Sequence, residues 1–101
     1  MNNTIKNDDF AELWQKETLI DVREVAEYTE RHIPTAQNIP LSQLENRFNE
    51  LDKNVHYYII CQSGRRSALA CDLLANQGYQ VTNILGGMAE WKGKIADGQL
   101  R

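Results

Sequence analysis

The sequence predicts an α/β domain built on a mostly parallel sheet, and three observations carry that reading. Segments of strand and helix character alternate along the chain. The strand-like runs are continuously apolar rather than alternating, the pattern of strands buried on both faces. The segments between them have helical composition and the length a crossover connection needs. The chain has 101 residues, 42% of them apolar, which suits a single domain spanning 1–101 with one folding unit.

Taken in order, Asp8 or Asp9 can cap a short helix that carries Phe10, Leu13 and Trp14 on one side. Leu19-Ile20-Asp21-Val22 reads as a buried strand ending in polar residues. A charged segment over 24–31 has helical composition and is stopped by His32-Ile33-Pro34, because the residue before proline avoids the α region. Asn38-Ile39-Pro40 is a brief extended piece. Ser42 starts a helix with Leu44, Phe48 and Leu51 at spacings of four and three, and Leu41 stands before it as a staple. The strongest strand signal is 55–60, rich in β-branched and aromatic side chains. A short loop then leads into a helix over 66–77 that ends at Gly78. Residues 81–85 form another strand, followed by Gly86-Gly87 and a last short helix with Met88 and Trp91.

Charge and composition remove several function classes. The net charge is −3, and no basic stripe offers a nucleic-acid surface. No apolar run approaches the roughly 20 residues of a membrane helix. The polar, acidic start does not read as a signal peptide, and two cysteines are too few for a disulfide framework, so a reducing cytoplasm is the expected setting. Charge is nonetheless uneven: residues 1–60 hold eleven acids and six bases, and 61–101 hold three acids and five bases. The positive balance begins at Cys61.

Cys61 is where the chemistry points. A buried strand delivers it to the carboxyl end, where open α/β sheets place their ligand crevices. The small Ser63 and Gly64 let the backbone curl around the sulfur, and the next helix aims its amino end at the same spot. With Arg65 and Arg66 nearby, this environment lowers a thiol pKa from about 8.5 and favours the nucleophilic thiolate. The plainer alternative is a cysteine that merely ends a core strand. Cys71, flanked by Ala68 and Ala75, reads as packing against the sheet; a resolving thiol for Cys61 is the other role open to it. His32 and His56 stand at no metal-ligand spacing to the cysteines, so neither a metal nor a cofactor is expected.

Four motifs in order resemble the rhodanese family of sulfurtransferases. Leu19-Ile20-Asp21-Val22-Arg23 resembles its first signature. Glu27 with His32-Ile33-Pro34, Ala36 and Asn38-Ile39-Pro40-Leu41 resembles the second. Cys61-Gln62-Ser63-Gly64-Arg65-Arg66-Ser67 resembles the active-site loop, and Leu85-Gly86-Gly87-Met88 with Trp91 the closing motif. The resemblance implies a five-stranded parallel sheet with helices on both faces. It also implies that Cys61 takes sulfane sulfur from a donor such as thiosulfate, becomes a persulfide, and passes the sulfur to cyanide, a thiol or an acceptor protein.

On that reading Gln62, Ser63, Gly64, Arg65, Arg66 and Ser67 line the substrate site. Their N–H groups cradle the outer sulfur, and Arg65 or Arg66 holds the sulfonate end of the donor. Asp21 and Arg23, which follow a buried strand, support the loop by hydrogen bonds or an ion pair, or else cap the next helix or face solvent. Cysteine-dependent phosphatases place five residues between cysteine and arginine; here four separate Cys61 from Arg66 and the next position is Ser67, which favours sulfur over phosphate or arsenate. A rhodanese-fold binding module without catalysis is the other class, and its usual cue is a missing loop cysteine. Arg31 and Thr35 stand where the family commonly has glycine, which puts the turn after the second helix in question. Arg31 reads as a solvated surface residue, with a positive group near the pocket mouth as the alternative, and His32 reads as a structural residue rather than a general base.

Overall fold

In a computed structural model, which describes residues 3–97, five parallel strands lie in the order β1-β5-β4-β2-β3. The strands are β1 (Asn3–Ile5), β2 (Thr18–Asp21), β3 (Gln37–Asn38), β4 (His56–Ile60) and β5 (Gln80–Ile84). The helices are α1 (Asn7–Phe10), α2 (Val25–Glu30), α3 (Leu41–Arg47), α4 (Arg65–Asn76) and α5 (Gly87–Glu90), with a 3-10 turn at Phe48–Glu50. The ends of the 1–101 unit lie outside the described residues.

The central strand β4 pairs Ile59 with Ile20 on one side and with Asn83 on the other. Its alternation divides the core in two. Tyr57, Ile59 and Cys61 join Ile20, Val22 and Val81 against Leu44 of α3 and Ala70, Cys71 and Leu74 of α4. On the opposite face, Ile60 joins Leu19 and Ile84 against Phe10, Ile33, Met88 and Trp91. Apolar side chains on both faces of one strand explain why the run is continuously apolar, and each face is covered by helices.

Three local expectations change. The helix near Asp8 and Asp9 begins after Lys6 without a side-chain cap, and both acids sit in its first turn, where carboxylates favour the positive helix end. It stops at Phe10 because the next hydrogen bonds, Leu13 N–H to Phe10 C=O and Lys16 N–H to Leu13 C=O, are the tighter kind that ends α geometry. Leu13 and Trp14 still pack on the core beside Phe10. Leu41 is the first residue of α3 rather than a staple before it, and the Ser42 hydroxyl donates to the Glu24 carboxylate at 2.9 Å. The third is β1, an edge strand paired with β5 through Ile5 and Ile84, in a stretch that reads as merely polar.

The turn after α2 keeps its shape without glycine. Arg31 is extended at φ −167°, which any residue adopts. Thr35 holds φ +78°, the left-handed region that a β-branched side chain rarely enters.

Candidate active site

The loop 61–64 joins the end of β4 to the start of α4, and the closing Gly86-Gly87 turn holds it from beneath. The N–H of Met88 donates to the Cys61 carbonyl at 2.8 Å, and that of Ala89 to the Gln62 carbonyl at 2.9 Å. This approach requires Gly87: a Cβ there would lie 2.3 Å from the Cys61 carbonyl oxygen and 2.7 Å from the Gln62 carbonyl carbon. Asn7, at the start of α1 and buried, secures the same turn by donating to the carbonyls of Leu85 (3.0 Å) and Gly87 (2.9 Å). The first helix is thereby tied to the Cys61 loop across most of the chain.

Cys61 has no exposed surface, and its sulfur sits among hydrogen-bonding groups of the loop and of Ser67. The Gly64 N–H reaches Sγ at 3.0 Å, which the loop achieves because Gly64 turns at φ +102°, a conformation open to glycine. The Ser67 Oγ lies 3.2 Å from Sγ. Burial pushes the Cys61 thiol up, but hydrogen bonds from the Ser67 side chain and the N–H groups of Ser67, Gly64 and Ser63 outweigh it and leave the thiol below its ordinary value. Backbone donors that need no reorganisation are well suited to a sulfur anion.

The loop arginines divide their work. Arg66 is held by Glu27 of α2 in a two-point contact at 2.7 and 2.9 Å. The Arg66 hydrogen bond is the chief reason the Glu27 carboxyl falls to about 2, with burial acting the other way. Glu27 also accepts the Glu24 N–H in the capping box that opens α2. Arg65 is exposed, and no described residue pairs with its side chain.

Asp21 and Arg23 form a buried pair, with Arg23 Nε and Nη2 each donating to the carboxylate at 2.8–3.1 Å. Arg23 Nη2 also donates to the Arg31 carbonyl at 2.6 Å. The pair stands at the end of β2, where the Val22 N–H binds the Ile60 carbonyl at 2.9 Å, one residue before Cys61. It braces the strand end rather than touching sulfur.

A cleft of about 550 Å³ opens beside the loop, lined by Arg23, Glu27, Glu30, Arg31, Gln62 and Met88 among others. Arg31 is exposed, as expected, but it faces this cleft rather than open surface alone. His32 is structural: its ring stacks on Tyr28 at 3.8 Å, and its Nδ1 meets the Tyr28 carbonyl at 2.8 Å. Cys71 is buried in the same core as Cys61 and both are free thiols. Burial pushes the Cys71 thiol up to about 12.

Asn83 escapes a reading by motif. It is 5% exposed, accepts the Ser67 hydroxyl at 2.5 Å, and donates to the Gly64 carbonyl at 3.2 Å. The available signal is an amide inside Val81-Thr82-Asn83-Ile84, a strand otherwise suited to burial; such a group needs partners. Asn7 carries no comparable signal beside two acids.

The rhodanese-like domain family matches residues 6–94, and the chain belongs to that family. Among its relatives, YrkF of Bacillus subtilis, a protein named for sulfur carriage, is 48% identical over 77 residues, covering 75% of this chain and 42% of that protein. A sulfurtransferase of Allochromatium vinosum is 39% identical over 74 residues, covering 72% of this chain and 69% of the other. The crystal structure of a rhodanese-related protein from Thermoplasma volcanium superimposes with a TM-score of 0.88 at 30% identity, covering 93% of this chain and 97% of that one. Family and relatives together support a sulfur-transfer role.

Proposed function

We propose that the protein is a sulfurtransferase that carries sulfane sulfur as a persulfide on Cys61. The observation that supports this most directly is the buried Cys61 sulfur, lowered in pKa and met by the Gly64 N–H at 3.0 Å. With thiosulfate as donor, the Cys61 thiolate attacks the sulfane sulfur. A new S–S bond forms, the donor's S–S bond breaks, and sulfite leaves with the bonding pair. The negative charge then rests on the outer persulfide sulfur, which the loop N–H groups stabilise. An acceptor such as cyanide, a thiol or an acceptor protein attacks that outer sulfur, and the Cys61 thiolate is the leaving group. No cofactor takes part.

Arg65, exposed and free of described partners, suits the anionic end of the donor, and Arg31 adds a second cation at the cleft. Ser67 lies near the sulfur at the position where a cysteine-dependent phosphatase carries arginine, which favours sulfur chemistry over phosphate. A reducing, cytoplasmic setting belongs to the same proposal, because the thiolate has to remain reduced between cycles.

Two half-reactions on one nucleophile predict ping-pong kinetics. Initial rates at varied thiosulfate and cyanide should give parallel double-reciprocal lines, and Cys61→Ser should abolish turnover. Intersecting lines, or turnover that survives Cys61→Ser, would contradict the mechanism. Tight protein binding that is indifferent to Cys61→Ala, with no turnover, would instead favour a non-catalytic module.

A further inference from the structure

The Ser67 hydroxyl has one proton and two claimants. Asn83 bridges the loop: its Nδ2 donates to the Gly64 carbonyl at 3.2 Å, and its Oδ1 receives the Ser67 hydroxyl at 2.5 Å. The orientation of the amide follows from chemistry, since the Gly64 carbonyl can only accept and therefore takes the NH₂ end. The Ser67 proton is then directed at Asn83, and an Oγ lone pair faces Cys61 Sγ at 3.2 Å. That arrangement serves a protonated thiol, whose S–H can donate to Oγ. A thiolate needs the reverse, a hydroxyl that donates to sulfur, and it obtains one only if Ser67 releases Asn83.

We propose that Asn83 is a positioning residue for sulfur transfer, holding the Ser67 hydroxyl proton off Cys61 while the sulfur is uncharged and yielding it when Sγ becomes a thiolate. This rests on the Cys61 persulfide reading for its place in the reaction. In the persulfide the charge moves to the outer sulfur and Sγ is uncharged again, so the proton returns to Asn83. The hydroxyl turns twice per cycle, breaking and remaking only hydrogen bonds. The Gly64 carbonyl also accepts the Ala68 N–H at 3.2 Å, so the loop keeps its helix anchor when residue 83 is changed.

Among the described residues, few other groups act on this sulfur. Arg66 and Cys71 on α4 interact with it through charge; Arg66 is paired with Glu27, and Cys71 stays neutral until about pH 12. At the end of β2, Asp21 and Arg23 are paired with each other.

The test follows thiolate formation at Cys61 by ultraviolet absorbance and by alkylation rate across pH, without any sulfur donor. Asn83→Leu removes the competing acceptor, so Cys61 should ionise at lower pH, with roughly fivefold more thiolate at a fixed pH below the midpoint. Ser67→Ala should move the midpoint up, and adding Asn83→Leu to Ser67→Ala should then change nothing. A midpoint that stays or rises in Asn83→Leu, or that falls equally without the Ser67 hydroxyl, would overturn the proposal.

A second measurement needs no altered Asn83. The side-chain amide resonances of Asn83 should move through the Cys61 titration in wild type and much less in Ser67→Ala. Constant resonances in wild type, or equal movement in both proteins, would overturn it. Because no donor is present, these outcomes are independent of whether thiosulfate loads the enzyme.

Discussion

Thr35 occupies a left-handed turn at φ +78°, where its branched Cβ crowds the backbone. Nothing else in the turn demands threonine, and glycine enters this region freely. Thr35→Gly should therefore stabilise the domain by about 1 kcal/mol, read as a rise in urea midpoint at unchanged slope. Cys61 and Cys71 differ for a comparable local reason: both are buried, but Cys61 meets donors and Cys71 meets hydrocarbon. Sulfur-transfer rate should rise with pH and level off below the pH at which a free cysteine, near 8.5, would do so. For stability the signs are opposite. The depressed Cys61 value contributes above the unfolded pKa and is lost as pH falls through the folded one. The raised Cys71 value, about 12 against 9.0, keeps its contribution below the unfolded value and loses it as pH climbs from there toward 12.

At the scale of elements, the tie between α2 and α4 runs through Glu27 and Arg66. The Glu27 value of about 2 against 4.5 means that this contribution is present above the unfolded value and fades as pH falls through the folded one. Glu27→Gln keeps the capping function of residue 27 but releases Arg66 to an anion. It should flatten the acid arm of the stability curve between pH 4.5 and 2, and lower KM for thiosulfate by about two- to fivefold, the range of a half-exposed ion pair. An unchanged KM would mean that Arg66 takes no part in donor binding. The closing turn is less tolerant. Gly87→Ala drives a methyl into the Cys61 and Gln62 carbonyls and should cost about 1–3 kcal/mol, with loss of the low-pH alkylation of Cys61.

The elements legible in the sequence are those whose physics is local. β4 declares itself through Tyr57-Tyr58-Ile59-Ile60, and α4 through its small and apolar inner face. The loop from Cys61 to Ser67 is contiguous, so its cradle is visible as a string. β1 is invisible because three residues, two of them exposed, become a strand only when β5 offers an edge. Asn83 and Asn7 reach the site by folding from two distant segments, which no spacing rule records. The loop alone does not decide between Arg65 and Arg66, because Glu27 comes beside Arg66 only through α2.

At the scale of the whole molecule, one sheet serves two cores, and Cys61 leaves β4 between the strands that organise them. Both cores share β2, β4 and β5, so the domain should unfold in one transition. Near- and far-ultraviolet dichroism should report the same midpoint, and separated midpoints would show a populated intermediate and contradict a single transition. Leu74→Ala, in the core beneath α4, should cost about 2–5 kcal/mol and shift both signals together. The uneven charge also gains a meaning at this scale. The acids of the first half include Glu27, spent on Arg66, and Asp21, spent on Arg23, while Arg65 and Arg31, the cations proposed for the donor, stay exposed.

The proposal that one sulfur atom rests on Cys61 is tested most directly by intact mass spectrometry after incubation with thiosulfate and removal of excess donor. Wild-type protein should gain the mass of a single sulfur, reversed by cyanide, and Cys71→Ser should gain it equally while Cys61→Ser gains none. An unmodified wild-type mass, or an adduct that persists in Cys61→Ser, would contradict it.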